Sequence, residues 1–388
     1  MPDLEKNAAM KVLLRIKDMS QRVLIIGGRG RIGSSIAEDL LAHTDAEITV
    51  TGRDKASRKS VSVEETLGDR LKFRALHLDD RPGLEQAIAD SDLVVHSAGP
   101  FHHRDARVLQ LCIDRGVSYT DVSDNRGFTR RALALHESAE KAGITAVINT
   151  GIFPGISNSM VRQGVEQLHE ADRIHLSYVV GGSGGAGVTV MRTTFLGLQN
   201  PFYVWIDGQW QQVKPYTDRE TIEFPEPYGK VGVYWFDMPE AFTLPDSFPV
   251  KTAITKFGTS PDLYNHLTWM VANLWPSAAL KNSAVVEFLS QVSYRMTGVT
   301  DKFSGTGVAV RSQVNGRNAE GQPATVCSTV VHHSAAVATG IGTGTIAELM
   351  LNGKLTKPGV WPVEQALPTS LFESIMTTRG IEIAHHWL

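Results

Sequence analysis

The chain has 388 residues, 42% hydrophobic and 20% charged, with a net charge of −3. These values exclude a disordered chain and call for two domains, or one domain with a large insertion. The charge balance supplies no overall field for nucleic acid or an anionic membrane, and no Lys/Arg block stands out.

Only Cys112 and Cys327 occur. Two thiols cannot build a disulfide framework or a four-sulfur zinc site, so a reducing, cytoplasmic compartment is expected. No apolar run is long enough for a transmembrane helix. Residues 1–21 lack the apolar core of a signal peptide and read as a short helical extension.

From residue 22 to about 155, strand and helix alternate. "RVLII" is continuously apolar, as a parallel strand buried on both faces should be. Ile32, Ile36 and Leu40 then recur on one helical face. "EITVT", "LKFRALHLD", "DLVVHSAGP", "VSYTDVS" and "ITAVINTG" supply five further strands. The segments between them read as helices, one of them the whole of "RGFTRRALALHESAEKAG". This order predicts an α/β chain with a doubly wound parallel sheet over 22–155.

Beyond it the pattern changes. "IHLSYVVGGSGGAGVTVMRTT" reads as strand around a glycine cluster, and "FYVWIDGQWQQV" as a hairpin turning at Asp207-Gly208. Residues 156–334 are therefore expected to form an inserted α+β domain for substrate and dimer contacts. Residues 335–388, which open with a small-residue helix, are expected to fold back on the first domain.

The turn "GGRGRIG" follows the first strand and opens a helix. Gly27, Gly28, Gly30 and Gly33 let backbone approach a pyrophosphate, which meets the free N–H groups at the helix start. Arg29, Arg31 and Ile32 lie within the same turn. At the end of the second strand, where NAD-binding folds place an acid, stands Arg53, followed by Asp54. A guanidinium pairs with a 2′-phosphate and an acid repels it, so NADP(H) is favoured over NAD(H). Asp79 follows the third strand, either near the adenine or as a plain turn residue.

"VVHSAGPFHHRDARVLQLCIDRGVSYTDVSD", "INTGIFPGISNSM" and the closing "GTGTIAELMLNGKLTKPGVWPVEQALP" resemble the saccharopine dehydrogenase-like (saccharopine reductase) family. The resemblance covers 22–160 and 335–388, and less of the middle. It implies a Rossmann domain with an inserted α+β domain, NADP(H) or NAD(H), and hydride exchange at a carbon–nitrogen bond. It places Ser97, Ala98 and Gly99 beside the nicotinamide ribose, and Asp121 and Ser123 toward the substrate. Asn149 and Thr150 take the equivalent position after the sixth strand. Pro100, Phe101 and His103 continue from the turn toward the substrate.

Strand position agrees, because ligands of open α/β sheets bind beyond the carboxyl ends. Imine chemistry needs a proton donor, so Asp121 is either the acid/base or a structural strand-end aspartate bonded to backbone. Arg192 is a candidate clamp for a substrate carboxylate, or a surface arginine. The histidine pairs 102–103, 332–333 and 385–386 point to opposite faces if in strands, so no metal is expected. None of the eight tyrosines has Lys four residues later, which removes a short-chain dehydrogenase pair. The leading expectation is an NADP(H)-dependent oxidoreductase acting on a small carboxylate-bearing imine, amine or carbonyl compound. A reductase of a non-amino-acid carbonyl or enoyl compound, and a cofactor-binding regulatory or scaffold protein, are the alternatives. A pocket without an arginine for a carboxylate would favour the former alternative.

Overall fold

The computed structural model describes residues 20–53, 68–185 and 187–388. The helical extension expected at the start, like Asp54, falls outside the described residues apart from its last positions. The six expected strands all form: β1 (Arg22–Ile26), β2 (Glu47–Gly52), β3 (Leu71–Ala75), β4 (Leu93–His96), β5 (Ser118–Asp121) and β6 (Thr145–Ile148). They pair in parallel in the order β6-β5-β4-β1-β2-β3. A seventh strand, Gly359–Pro362, comes from far down the chain and lies parallel against β6. The order reverses at β1, flanked by β2 and β4, and this is where such sheets open a crevice for ligands. Val23, Leu24, Ile25 and Ile26 are all buried, which accounts for the unbroken apolar run.

Two local expectations differ. "RGFTRRALALHESAEKAG" forms two helices, Arg126–Leu133 and His136–Lys141. The chain tightens between them, where Leu135 N bonds Ala132 O, three residues back. The glycine cluster ends strand β7 (Glu170–Gly181) instead of continuing it, with Gly182, Gly184 and Gly185 at positive φ. Helix Val188–Gly197 follows, in spite of its β-branched residues, and packs on helix Ser283–Ser304. Tertiary contact here overrides local propensity.

The second sheet contains β8 (Phe202–Ile206), β9 (Gln209–Val213), β10 (Glu220–Phe224), β11 (Gly229–Trp235), β12 (Thr252–Ser260), β13 (Gly307–Arg317) and β14 (Pro323–His332). Its main path runs β10-β11-β12-β7-β13-β14 and ends on Ile383–Trp387, with the β8–β9 hairpin joined to β12. Asp207 and Gly208 turn that hairpin with φ of 51° and 73°, the left-handed pair a two-residue turn requires.

Helix Ala335–Leu351 lies along helix Arg31–His43. Its glycines make the approach possible. A Cβ on Gly340 would stand 2.6 Å from Ser35 Cβ, and one on Gly344 would stand 2.1 Å from Asp39 Oδ2. Arg379 then ties Asp39 (3.0 Å) to Glu348 (2.7 Å).

Candidate active site

The glycine turn sits at the reversal point. Gly27 has φ +84°, and a Cβ there would meet Ala98 backbone at 2.8 Å. At Gly28 it would meet Val50 Cβ at 2.6 Å, and at Gly33 Gly27 O at 2.5 Å. Gly30 N closes the turn on Gly27 O (2.9 Å). Gly30 is also the N-cap of helix Arg31–His43 and offers no capping side chain, so the first-turn N–H groups face the crevice as a phosphate seat. These features fit the pyrophosphate of a dinucleotide. Ile32 is half-buried against the β1 core.

The two turn arginines diverge. The Arg29 guanidinium lies over the Phe73 ring at 5.0 Å, toward the β2–β3 end. Arg31 crosses to the second sheet's side and donates to Gly185 O (3.0 Å) and to the Tyr294 hydroxyl (2.9 Å). Arg53 is exposed at the end of β2. Near it lies Arg104, unremarked in the sequence, which donates to Ala98 O (3.0 Å); burial, with Arg53's charge adding, lowers its pKa. Asp79 is exposed and ion-paired to His77 (3.3 Å) and Arg107 (3.7 Å).

Ser97 closes the gap between β4 and β1, with its N and Oγ both bonding Ile26 O (2.8 and 2.9 Å). Ala98 backs Gly27, and Gly99 faces Thr189 Cγ2 at 3.5 Å from an ideal Cβ. Pro100 follows through a cis bond. Phe101, expected toward the substrate, is instead 3% exposed and packs edge-on against His96 and Phe128 in the core. His103 is exposed beside His102.

Asp121, Ser123, Asn149 and Thr150 do meet, as one buried clamp. Asp121 Oδ1 accepts from Ser123 N (3.0 Å) and Asn149 N (3.1 Å). Asn149, at φ 61°, donates from Nδ2 to Ser123 O (2.8 Å) and Thr129 Oγ1 (3.0 Å). Thr150 Oγ1 donates to Asp121 O (2.9 Å). Beneath them lies Tyr119, whose phenol oxygen is 3.1 Å from His96 Nδ1. Burial holds His96 neutral, pushing its pKa down to about 3. Asp121 therefore braces the β5 and β6 ends as a positioning residue, and its carboxyl is fully buried.

Burial pushes the Asp121 carboxyl up to about 6, against the opposing hydrogen bonds from Ser123 and Asn149 backbone. A carboxyl raised in the folded state stabilises most below its unfolded pKa near 3.8 and loses that contribution as pH rises through about 6. Thermal unfolding of Asp121→Asn is expected to lack this part of the pH profile, roughly 3 kcal/mol in wild type. An unchanged profile would count against it.

The clamp fixes the next residues. Ser123 Oγ accepts from Asn125 N (3.3 Å), and Asn125 caps helix Arg126–Leu133 through Phe128 N (2.9 Å). Asp124 is thus held from both sides at the edge of a cavity of about 430 Å³. Burial raises its carboxyl to about 6, opposed by a hydrogen bond from Thr193. Phe153, Phe195, Phe236, Phe257, Tyr264 and Met296 are among the other walls. Threonines and serines supply most of the remaining polarity, and Asp124 is the one charged side chain among the lining residues. Arg126 ties this loop to the far wall, pairing with Asp237 (2.8 Å) between Phe236 and Met238 and donating to Tyr203 O (2.6 Å). Arg192 does not face the cavity; Glu287 holds its guanidinium bidentately at 2.5 and 2.8 Å. Sequence alone favours Asp121, which ends the strand, over Asp124, whose mark is its place three residues beyond.

A phosphate seat at the sheet's reversal point, beside an apolar cavity headed by one perturbed acid, defines a dinucleotide-dependent oxidoreductase. Residues 23–147 match the saccharopine dehydrogenase NADP binding domain. Over that first domain the chain is similar to saccharopine dehydrogenases, and its cofactor is NADP(H). It is 24% identical to carboxynorspermidine synthase of Vibrio cholerae over 90% of this chain and 93% of that one. It is 25% identical to a putative trans-acting enoyl reductase of Mycobacterium tuberculosis over 50% of this chain and 48% of that one. The solved structure of apo saccharopine dehydrogenase (L-Glu forming) from Saccharomyces cerevisiae shares the fold, with a TM-score of 0.69 at 16% identity, covering 95% of this chain and 100% of that one.

Proposed function

We propose that the protein exchanges hydride between NADP(H) and a carbonyl or conjugated enoyl carbon of an apolar, carboxylate-free substrate. The carrying observation is the cavity's lining, which offers aromatic and aliphatic walls, one carboxyl, and neither arginine nor lysine. A carboxylate buried there would lack a cation and sit beside Asp124, a costly arrangement. With Arg192 engaged by Glu287, the feature expected to hold a carboxylate is taken. The name of the mycobacterial relative supports an enoyl substrate.

NADPH, when bound, supplies the hydride. Asp124 in its acid form donates one proton, to the carbonyl oxygen or to the enolate, which completes a two-electron reduction. Its raised pKa keeps part of it protonated near neutrality. Asp121, Ser123 and Asn149 hold it in place, and the apolar walls exclude water. Arg53, with Arg104 nearby, reads the 2′-phosphate.

A lone carboxylate in an apolar box also suits a cationic imine, and the likeness to carboxynorspermidine synthase favours this second reading. The pH profile separates the two. A neutral carbonyl needs Asp124 protonated, so reduction falls as pH rises through about 6; a cationic imine needs it ionised, so reduction rises. A homodimer in a reducing compartment belongs to the same proposal, and the buried free thiols Cys112 and Cys327 support the compartment.

The experiment is a homologous series of aldehydes and methyl ketones with NADPH. Each added methylene that enters the cavity should lower KM about fourfold until the cavity is filled. A KM independent of chain length would refute an apolar site.

A further inference from the structure

Helices Leu263–Leu274 and Ser283–Ser304 wall the cavity and carry a concentrated apolar surface. Among the described residues, nine of the thirteen exposed large apolar side chains fall within 263–299. Leu263, Met270 and Leu274 form one stripe, at 56%, 40% and 66% exposure. Phe288, Val292, Met296 and Val299 form the other, with Phe288 at 63% and Val299 at 62%. Spacings of three, four and seven residues put each stripe on one helical face. The patch and the cavity are continuous, since Met270, Leu274, Trp275, Val292 and Met296 belong to both. Half-exposed Trp269 and Trp275 add the amphipathic rings that favour a lipid–water boundary.

The charges around the patch are predominantly positive once ion pairs are set aside. Residues 263–280 contain no Asp, Glu, Lys or Arg. Lys281, Arg295 and Lys302 are exposed nearby. The neighbouring acids are engaged: Glu287 by Arg192, Asp301 by Ser183 N and Oγ (2.8 and 2.6 Å), and Asp262 by Arg219 and His266. Whole-chain charge hid this rim, because its three cations are spread over 22 residues of sequence.

We propose that this two-helix face docks on an anionic bilayer, and that the cavity takes a lipid-chain substrate through it. The inference rests on the apolar-substrate reading above. It fits a surface-lying face and not a span, since no helix among the described residues is long and apolar enough to cross a membrane. A bilayer supplies an apolar substrate where the cavity wall is exposed, whereas a second copy on this face would cover that route.

The test is flotation of the full-length protein with phosphatidylcholine vesicles, with and without phosphatidylglycerol. Binding should be at least about tenfold stronger to the anionic vesicles and should weaken at raised salt. Phe288→Ser with Val299→Ser should reduce it by about tenfold or more. NADPH affinity and melting temperature should be retained, and Leu263→Ser alone should give a smaller loss. Failure to float overturns docking. Failure together with a dimer that Phe288→Ser splits would assign the face to a second copy. The soluble chain-length series, run without vesicles, reads the substrate proposal separately, so a protein that reduces the series yet ignores vesicles refutes docking alone.

Discussion

Asp124→Asn is expected to lower kcat for reduction by about 10²–10⁴-fold while leaving NADPH affinity within about twofold of wild type. The expectation rests on position. Asp124 is the one charged group at the cavity, it is braced between the Ser123 and Asn125 hydrogen bonds, and burial lifts its carboxyl to about 6. Asparagine keeps the shape and removes the proton. The fall of kcat/KM through about pH 6 should vanish with it. A loss of kcat that kept the wild-type pH limb would move the acid elsewhere. The corresponding Asp121→Asn change should act differently, because Asp121 reaches the cavity only through the loop it clamps. Its cost should appear in stability and in a modest kcat loss, with the pH limb retained.

Arg53→Ala should weaken NADPH by about 10–100-fold and NADH by less than about twofold, as measured by fluorescence titration. A charge-assisted contact to phosphate contributes roughly 1.5–3 kcal/mol, and NADH has no phosphate at that position. Arg53 is exposed at the end of β2, beside the crevice and close enough to Arg104 to influence its titration. Arg104 is tied to Ala98 O, so Arg104→Ala should weaken both cofactors by loosening the Ala98–Gly99 turn. Equal losses for both cofactors in Arg53→Ala would reject the phosphate assignment.

Six of the first sheet's seven strands were legible because their signals are local. β1 announces itself by four buried apolar residues, and the glycine turn by spacings that packing itself enforces at Gly27, Gly28 and Gly33. The Asp207-Gly208 hairpin is equally local. Helix Val188–Gly197 was not legible, since its β-branched residues argue for strand and only contact with helix Ser283–Ser304 decides otherwise. The seventh strand, Gly359–Pro362, pairs with residues more than 200 positions earlier and has no local mark. At the site, spacing points to the strand ends, whereas the partners that fix each side chain come from distant parts of the chain. Arg192 suits a carboxylate by sequence, but Glu287, 95 residues away, holds it. Asp121 and Asp124 are equivalent in sequence; the backbone of Ser123 and Asn149 holds the first, while the second lines the cavity.

The most direct measurement is NADPH oxidation by the purified full-length protein. It would be followed in parallel with medium-chain aldehydes, ketones and enoyl compounds, and with amine–keto acid pairs. The cavity's lining predicts turnover of the apolar, carboxylate-free compounds, abolished in Asp124→Asn, and none above background with the keto acid pairs. Turnover confined to the carboxylate-bearing pairs would contradict the account and return the substrate to the amino-acid class.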